Sequence, residues 1–175
     1  MLKTIAIIII LAIVIALILA ATKPDRFRIE RSINIKASPE KIFMLIVDFH
    51  HMNTWSAWDK IDPAMKRSFT GAESGKGAMY AWDGNKETGK GSMEILEATP
   101  SSKVLIKLDF YKPFEAHNMA EFTLQSHDEI TTVTHAMYGP SPFISKLMSL
   151  VFNMDKMVGT KFEAGLLHLK EIAEK

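Results

Sequence analysis

Ile5 to Ala21 is an unbroken apolar run dominated by Ile and Leu, and it constrains the rest of the chain. With Thr4 and Thr22 the run makes 19 residues, about 28 Å as a helix at roughly 1.5 Å per residue. That nearly matches the roughly 30 Å hydrocarbon core of a bilayer, so the segment can cross once with little tilt. A buried soluble helix would carry a polar face, and no polar residue interrupts this run.

A cleaved signal peptide is the rival reading. Such peptides have apolar cores of about 7 to 15 residues followed by a small-x-small cleavage site. Here the core is longer, and the small residues at its end are Ala20, Ala21 and Thr22, with Pro24 close behind. Length therefore favours an uncleaved transmembrane anchor over residues 1–22, leaving residues 23–175 as the working domain. Lys3 flanks one side, while Lys23, Arg26, Arg28 and Arg31 flank the other. The positive-inside count favours a single-pass protein whose domain lies in the cytoplasm. The linker is only Thr22 to Asp25, so the domain sits close to the bilayer.

The remaining chain is one domain's worth, long enough to bury a core. Without Lys3, 20 basic residues stand against 20 acidic ones. A neutral domain of this kind has no electrostatic footprint for nucleic acid. The absence of cysteine excludes disulfides, thiolate catalysis and Cys-ligated zinc. No internal repeat or low-complexity tract occurs, and the strand and helix patterning closes one core without help from the anchor, so the soluble domain is expected to be monomeric.

Arg26 to Lys36 alternates apolar and polar at Phe27, Ile29, Ile33 and Ile35, the pattern of a half-buried strand. Ser38-Pro39-Glu40 then reads as a helix start: a capping hydroxyl, a proline at the first helical position and an acid near the positive dipole end. A helix through Lys41–Val47 follows, broken and restarted around Asp48 to Asn53. Trp55 and Trp58 fall in an irregular loop closed by Asp62-Pro63. Six strand candidates come next, at Lys66–Thr70, Gly77–Asp83, Gly91–Ala98, Val104–Tyr111, Ala116–Gln125 and Ile130–Tyr138. They are joined by hairpin-like turns rich in Gly, Asn, Asp and Ser. Pro140 and Pro142 end the sheet. A long helix is predicted from about Phe143 to Ala173, with Ile144, Leu147, Val151, Met154, Val158, Phe162, Leu166 and Leu169 on one face.

The order is thus strand, two short helices, six strands and a C-terminal helix. The expected fold is α+β: a seven-stranded curved antiparallel sheet wrapped on the long helix, because an apolar sheet face must be covered. Such a grip tends to leave a cavity between helix and sheet.

Ile33-Asn-Ile-Lys-Ala-Ser-Pro-Glu-Lys-Ile-Phe43 resembles the opening signature of the START-related helix-grip superfamily (SRPBCC), which includes polyketide cyclases and lipid-transfer proteins. A bacterial polyketide cyclase/dehydrase-like branch with an N-terminal membrane segment is closer still. Its recurring features resemble Trp55-Ser-Ala-Trp58, Asp62-Pro-Ala-Met-Lys66, Gly75-Lys-Gly77, Tyr80-Ala-Trp-Asp-Gly-Asn85, Gly89-Lys-Gly-Ser-Met93 and Met154-Asp-Lys-Met-Val-Gly159. The resemblance covers about residues 26 to 173. It implies the fold strongly and an activity weakly, since one scaffold hosts enzymes, transfer proteins and sensors. It carries over no catalytic motif and no cofactor.

His50-His51 is not a metal motif: neighbours on a helix point about 100° apart, and no third ligand is near. Gly75-Lys-Gly77 and Gly89-Lys-Gly91 lack a following helix N-terminus and read as turn chemistry. Asp59, Asp62, Asp109, Glu115, Glu121, Asp155 and Glu163 are scattered, and Asp155 is expected to pair with Lys156 or a strand residue. His135 shares a strand face with Val133 and Met137 and should point inward, either as a satisfied core histidine or as a polar anchor on a cavity wall. Trp55, Trp58, Tyr80, Trp82, Phe110, Phe122, Met148 and Phe152 come from the elements that would surround such a cavity, and with His135 they form the candidate ligand site. Met154 and Met157 add adaptable walls. The expected mouth lies near Trp55 and Trp58.

The favoured function is membrane-tethered binding or transfer of a lipid or other hydrophobic small molecule. The alternative is an enzyme of polyketide cyclase/dehydrase type acting on a hydrophobic substrate. A structural partner-binding role comes third.

Overall fold

The computed structural model describes residues 1–175. Helix α1 spans Leu2–Ala21 and is followed by β1 (Arg26–Ile35), α2 (Pro39–Val47), a 3-10 turn (Phe49–His51) and α3 (Met52–Trp55). Strands β2 (Lys66–Gly71), β3 (Ala78–Asp83), β4 (Lys90–Thr99), β5 (Lys103–Lys112), β6 (Ala116–His127) and β7 (Ile130–Pro140) come next. Helices α4 (Phe143–Met148) and α5 (Met154–Ala173) close the chain. All seven strands form one antiparallel sheet in the order β1-β7-β6-β5-β4-β3-β2, so the first strand returns to pair with the last.

Local chemistry explains the helix starts. Ser38 caps α2 by accepting from the Lys41 amide, with Pro39 at the first helical position. Asp48 caps the 3-10 turn through the His50 amide, which breaks the helical run after Val47.

Register assigns the two faces of the sheet. Cross-strand partners share a face, which lines up Ile29 with Met137, Arg31 with His135 and Ile33 with Val133. The same row continues through Phe122, Val104, Ala98 and, one pair along, Ala120, Ile106 and Ile95. These positions point toward the helices and carry the core. Ile35, Ile95, Val104, Ile106, Phe122 and Val133 from the sheet are sealed with Ile42 and Ile46 of α2 and Phe162, Leu166 and Leu169 of α5. The opposite face carries Arg28 paired with Glu30 and Glu121, and Lys107 paired with Asp109.

Two expectations need correction. Trp55, expected in an irregular loop, ends helix α3 and is buried. The predicted Phe143–Ala173 helix is two helices, interrupted at Ser149–Asn153. Asn153 accepts the Lys156 amide and caps a fresh N-terminus, while the Ser149 hydroxyl donates to the Lys146 carbonyl and closes α4. The apolar period continues through the break, but its meaning changes. Val158, Phe162, Leu166 and Leu169 are core, whereas Ile144, Met148, Val151 and Met154 face outward. Of these two helices only α5 grips the sheet.

Helix α1 stands off the domain and packs its end on α4. Ala16 and Ala20, one turn apart, are the only α1 positions with reduced exposure. The linker is hydrogen-bonded rather than free. Lys23 Nζ donates to the Ser149 carbonyl, Lys146 Nζ donates to Asp25, and the Ser141 amide donates to the Asp25 carbonyl.

Candidate ligand site

The concave face holds an aromatic ladder. Trp55 meets Phe122 edge-on with ring centroids 5.7 Å apart, and its indole N–H donates to the Leu45 carbonyl. Phe122 stacks on His135 at 4.0 Å, and His135 stacks on Phe162 of α5 at 3.7 Å. Toward the β2 edge of the same face, Tyr80 stacks on Trp82, and Trp82 meets Phe110 edge-on at 5.8 Å.

His135 is the one titratable ring in this ladder, and it points inward as its parity requires. Its nitrogens have no protein partner, yet no unpartnered polar side-chain atom is sealed from solvent, so the imidazole keeps an open edge. Burial pushes its pKa down to about 3, which leaves it neutral at ordinary pH. A neutral imidazole with a free edge in an apolar cleft can give or take one hydrogen bond from a ligand headgroup.

A second polar group sits beside the ladder. Asp59, only 7% exposed, accepts from Arg67 Nε at 2.9 Å and from the Tyr80 hydroxyl at 3.1 Å, while Arg67 also donates to the carbonyls of Asp59 and Met65. Burial and the Asp59 charge push the Tyr80 phenol up. Asp62 accepts the Ala64 and Asn85 amides and ties the same loop to the β3–β4 turn. These carboxylates hold the Trp55–Pro63 loop on the sheet. Sequence reading missed them because each partner lies 8 to 23 residues away and no local spacing marks it.

A third network fixes α5. Arg31 donates to Asp155 at 2.9 Å and to Glu163 at 2.6 Å, and lies against the bare backbone of Gly159. Asp155 thus pairs with a strand residue, one of the two alternatives expected, and the Arg31 guanidinium holds its carboxyl below the usual range.

The nine sequence-derived candidates divide into two groups. Trp55, Tyr80, Trp82 and Phe122 are buried, Phe110 and His135 are partly open, and these six share the concave face. Trp58 is 40% exposed at the loop surface. Met148 and Phe152 lie outside this cluster, exposed at the end of α4 and in the turn after it. Two shallow recesses mark the domain: about 250 Å³ between Arg31, Ile33 and Leu166, and about 160 Å³ on the opposite face of the sheet around Asp109, His117 and Tyr138. Alongside Arg31 and Ile33, four concave-face residues retain access: Phe27, Met93, Phe110 and His135. Phe27 opens β1, Phe110 closes β5 and Met93 lies early in β4, so three of the four gather at the sheet end nearest α1.

His50 and His51 are exposed; His50 stacks on Phe69 and contacts Asp48. No group of three His, Asp or Glu side chains gathers anywhere in a metal-like cluster.

A sequence profile for polyketide cyclase/dehydrase and lipid-transport proteins matches residues 26–174, the entire domain. The chain belongs to this family. Among proteins of curated function, none matches the sequence. Solved structures share the fold at low identity. Protein MLL2253 from Mesorhizobium loti is 18% identical with a TM-score of 0.60, over 85% of this chain and all of the other. Protein CV1439 from Chromobacterium violaceum is 13% identical with a TM-score of 0.59, over 87% of this chain and 99% of the other. The di-domain ARO/CYC StfQ from the steffimycin biosynthetic pathway is 8% identical with a TM-score of 0.63, over 85% of this chain and 51% of that one. These likenesses show the shared fold, and a fold alone does not fix a function.

Proposed function

We propose that this family member is a membrane-tethered module that binds or transfers a lipid or other hydrophobic small molecule on the concave face of its sheet. The observation that supports it most is the open edge of His135, stacked between Phe122 and Phe162, with Phe27, Met93 and Phe110 accessible further along the same face. An apolar surface with one convergent polar group is the usual composition of a small-molecule site. Both recesses are smaller than the roughly 300–1,000 Å³ of typical ligand sites, so this reading requires α5 to part from the sheet to admit a ligand. The apolar span of α1 would hold the module where such ligands are concentrated.

The test is native mass spectrometry of the full chain released from lipid nanodiscs, compared with Ala120→Trp. Ala120 is buried at the centre of the concave face, so a tryptophan there fills it. A bound adduct on the wild type that is lost in the folded variant is expected. Equal adducts on both would overturn the reading, and a chemically altered adduct would favour the polyketide cyclase/dehydrase-type enzyme.

A further inference from the structure

We propose that α4 and the turn that follows it form a second membrane contact, seated in the lipid interface beside α1, which turns the open end of the concave face toward the bilayer. This rests on α1 crossing the membrane.

The patch is continuous and strongly apolar. Ile144 and Met148 on α4, Val151 and Phe152 in the turn, and Met157 at the start of α5 are all exposed, Val151 to 80%. A soluble monomer rarely leaves such a contiguous set in water. Its place in the fold says what covers it. Helix α4 packs on α1 near Ala16 and Ala20, and Ala16 lies about 8 Å from the end of α1 at roughly 1.5 Å per residue. A segment packed that far down a spanning helix is at the depth of the headgroup and acyl boundary, where interfacial apolar faces bury about 5–10 Å. The linker bonds from Lys23 and Asp25 to Ser149 and Lys146 prevent the domain from swinging α4 away.

The charges agree with this depth. Lys146 is the one buried residue of α4, and its ammonium reaches out to Asp25, which is fully in solvent. That is how a lysine at an interface keeps its stem in grease and its head in water. The sheet supports the same orientation. Arg26 of β1 pairs with Pro140 of β7 directly after the anchor, so the partly open Phe27 and Phe110 lie at the membrane end. A ligand could then pass between bilayer and cleft without crossing water.

The chain has no cysteine, so single labels are unambiguous. Val151→Cys, Leu11→Cys and Glu129→Cys, each in the full chain, would carry a nitroxide in vesicles of phosphatidylcholine and phosphatidylglycerol. Glu129 is exposed in the β6–β7 turn at the opposite end of the sheet. Collision rates with oxygen and with a water-soluble nickel chelate report depth. The expected result is a several-fold excess of oxygen collisions at Val151, a larger one at Leu11, and an excess of nickel collisions at Glu129. Leu11 in lipid with Val151 in water would overturn the second contact and leave the anchor intact. Leu11 in water would overturn both. Dipolar coupling between Val151 labels, without oxygen excess, would make the patch a contact between two copies and would also overturn it.

Discussion

The imidazole of His135 lies on the phenyl ring of Phe162 with their centroids 3.7 Å apart and the planes 26° from parallel. A strand residue and a helix residue thus close the cleft face to face, with Phe122 stacked on the other side of the imidazole. Burial favours the neutral ring there, because the protonated one would give up water that two phenyl faces only partly replace.

Stability should therefore fall with acid through this residue. The native ring titrates at about 3 and the unfolded one near 6.5. Above pH 6.5 both states are neutral and nothing is lost. Below it the unfolded chain takes a proton that the native one refuses, at a cost of about 1.4 kcal/mol per pH unit. The loss continues down toward pH 3. Carboxylates such as Asp109 and Asp155, whose pKa values are lowered, add their own acid loss, so the difference between wild type and His135→Phe isolates the histidine. Urea unfolding at pH 7, 5.5 and 4.5 should show a shallower decline in the variant. Parallel declines would place the imidazole in an environment that accepts its proton.

Arg31 and Gly159 should be energetically coupled. A Cβ at Gly159 would lie 2.1 Å from the Arg31 guanidinium, which Asp155 and Glu163 hold in place. Gly159→Ala alone should be neutral or destabilising, although alanine is better than glycine in a helix by about 1 kcal/mol. In an Arg31→Ala background the same change should stabilise by about that amount. A double-mutant cycle read by urea unfolding checks this, and additivity would contradict it.

Asp59→Ala should cost about 3–5 kcal/mol, the range for removing one partner of a buried pair. It strands the Arg67 guanidinium and leaves the Tyr80 hydroxyl without its acceptor. Tyr80→Phe removes donor and burial demand together and should cost about 1 kcal/mol. Thermal unfolding of the two variants should separate them clearly, the alanine variant melting well below the phenylalanine one.

The strands were legible because parity is strict: Val104, Ile106 and Leu108 alternate with Leu105, Lys107 and Asp109, and one face must be core. The inward aim of His135 followed from the same rule. The α4–α5 break was not legible. Leu147, Val151, Met154 and Val158 keep a helical period straight through it, and an apolar period reports only that a face avoids water. Whether protein or lipid covers that face is decided by where α1 ends in space. The Arg31–Asp155 and Asp59–Tyr80 pairs were hidden for a different reason: contacts across 124 and 21 residues leave no local signature.

The separation of α1 from the core gives the last prediction. Every residue of the main core lies between Ile29 and Ala173, and α1 contributes none of them. Its contacts are Ala16, Ala20 and the bonds made by Lys23 and Asp25 at the surface of α4. Removing residues 1–22 should therefore leave a chain that unfolds in one cooperative transition, while the full chain stays in the membrane fraction with its N-terminus intact. Circular dichroism and thermal melting of residues 23–175 test the first part; cell fractionation and N-terminal sequencing test the second. The truncated domain would still expose Val151 and Phe152, so it should bind detergent micelles or self-associate at high concentration. Val151→Asp with Phe152→Asp should suppress that association without lowering the melting temperature. A mature full-length product that begins near Lys23 in the soluble fraction would make α1 a signal sequence and end the tethered reading.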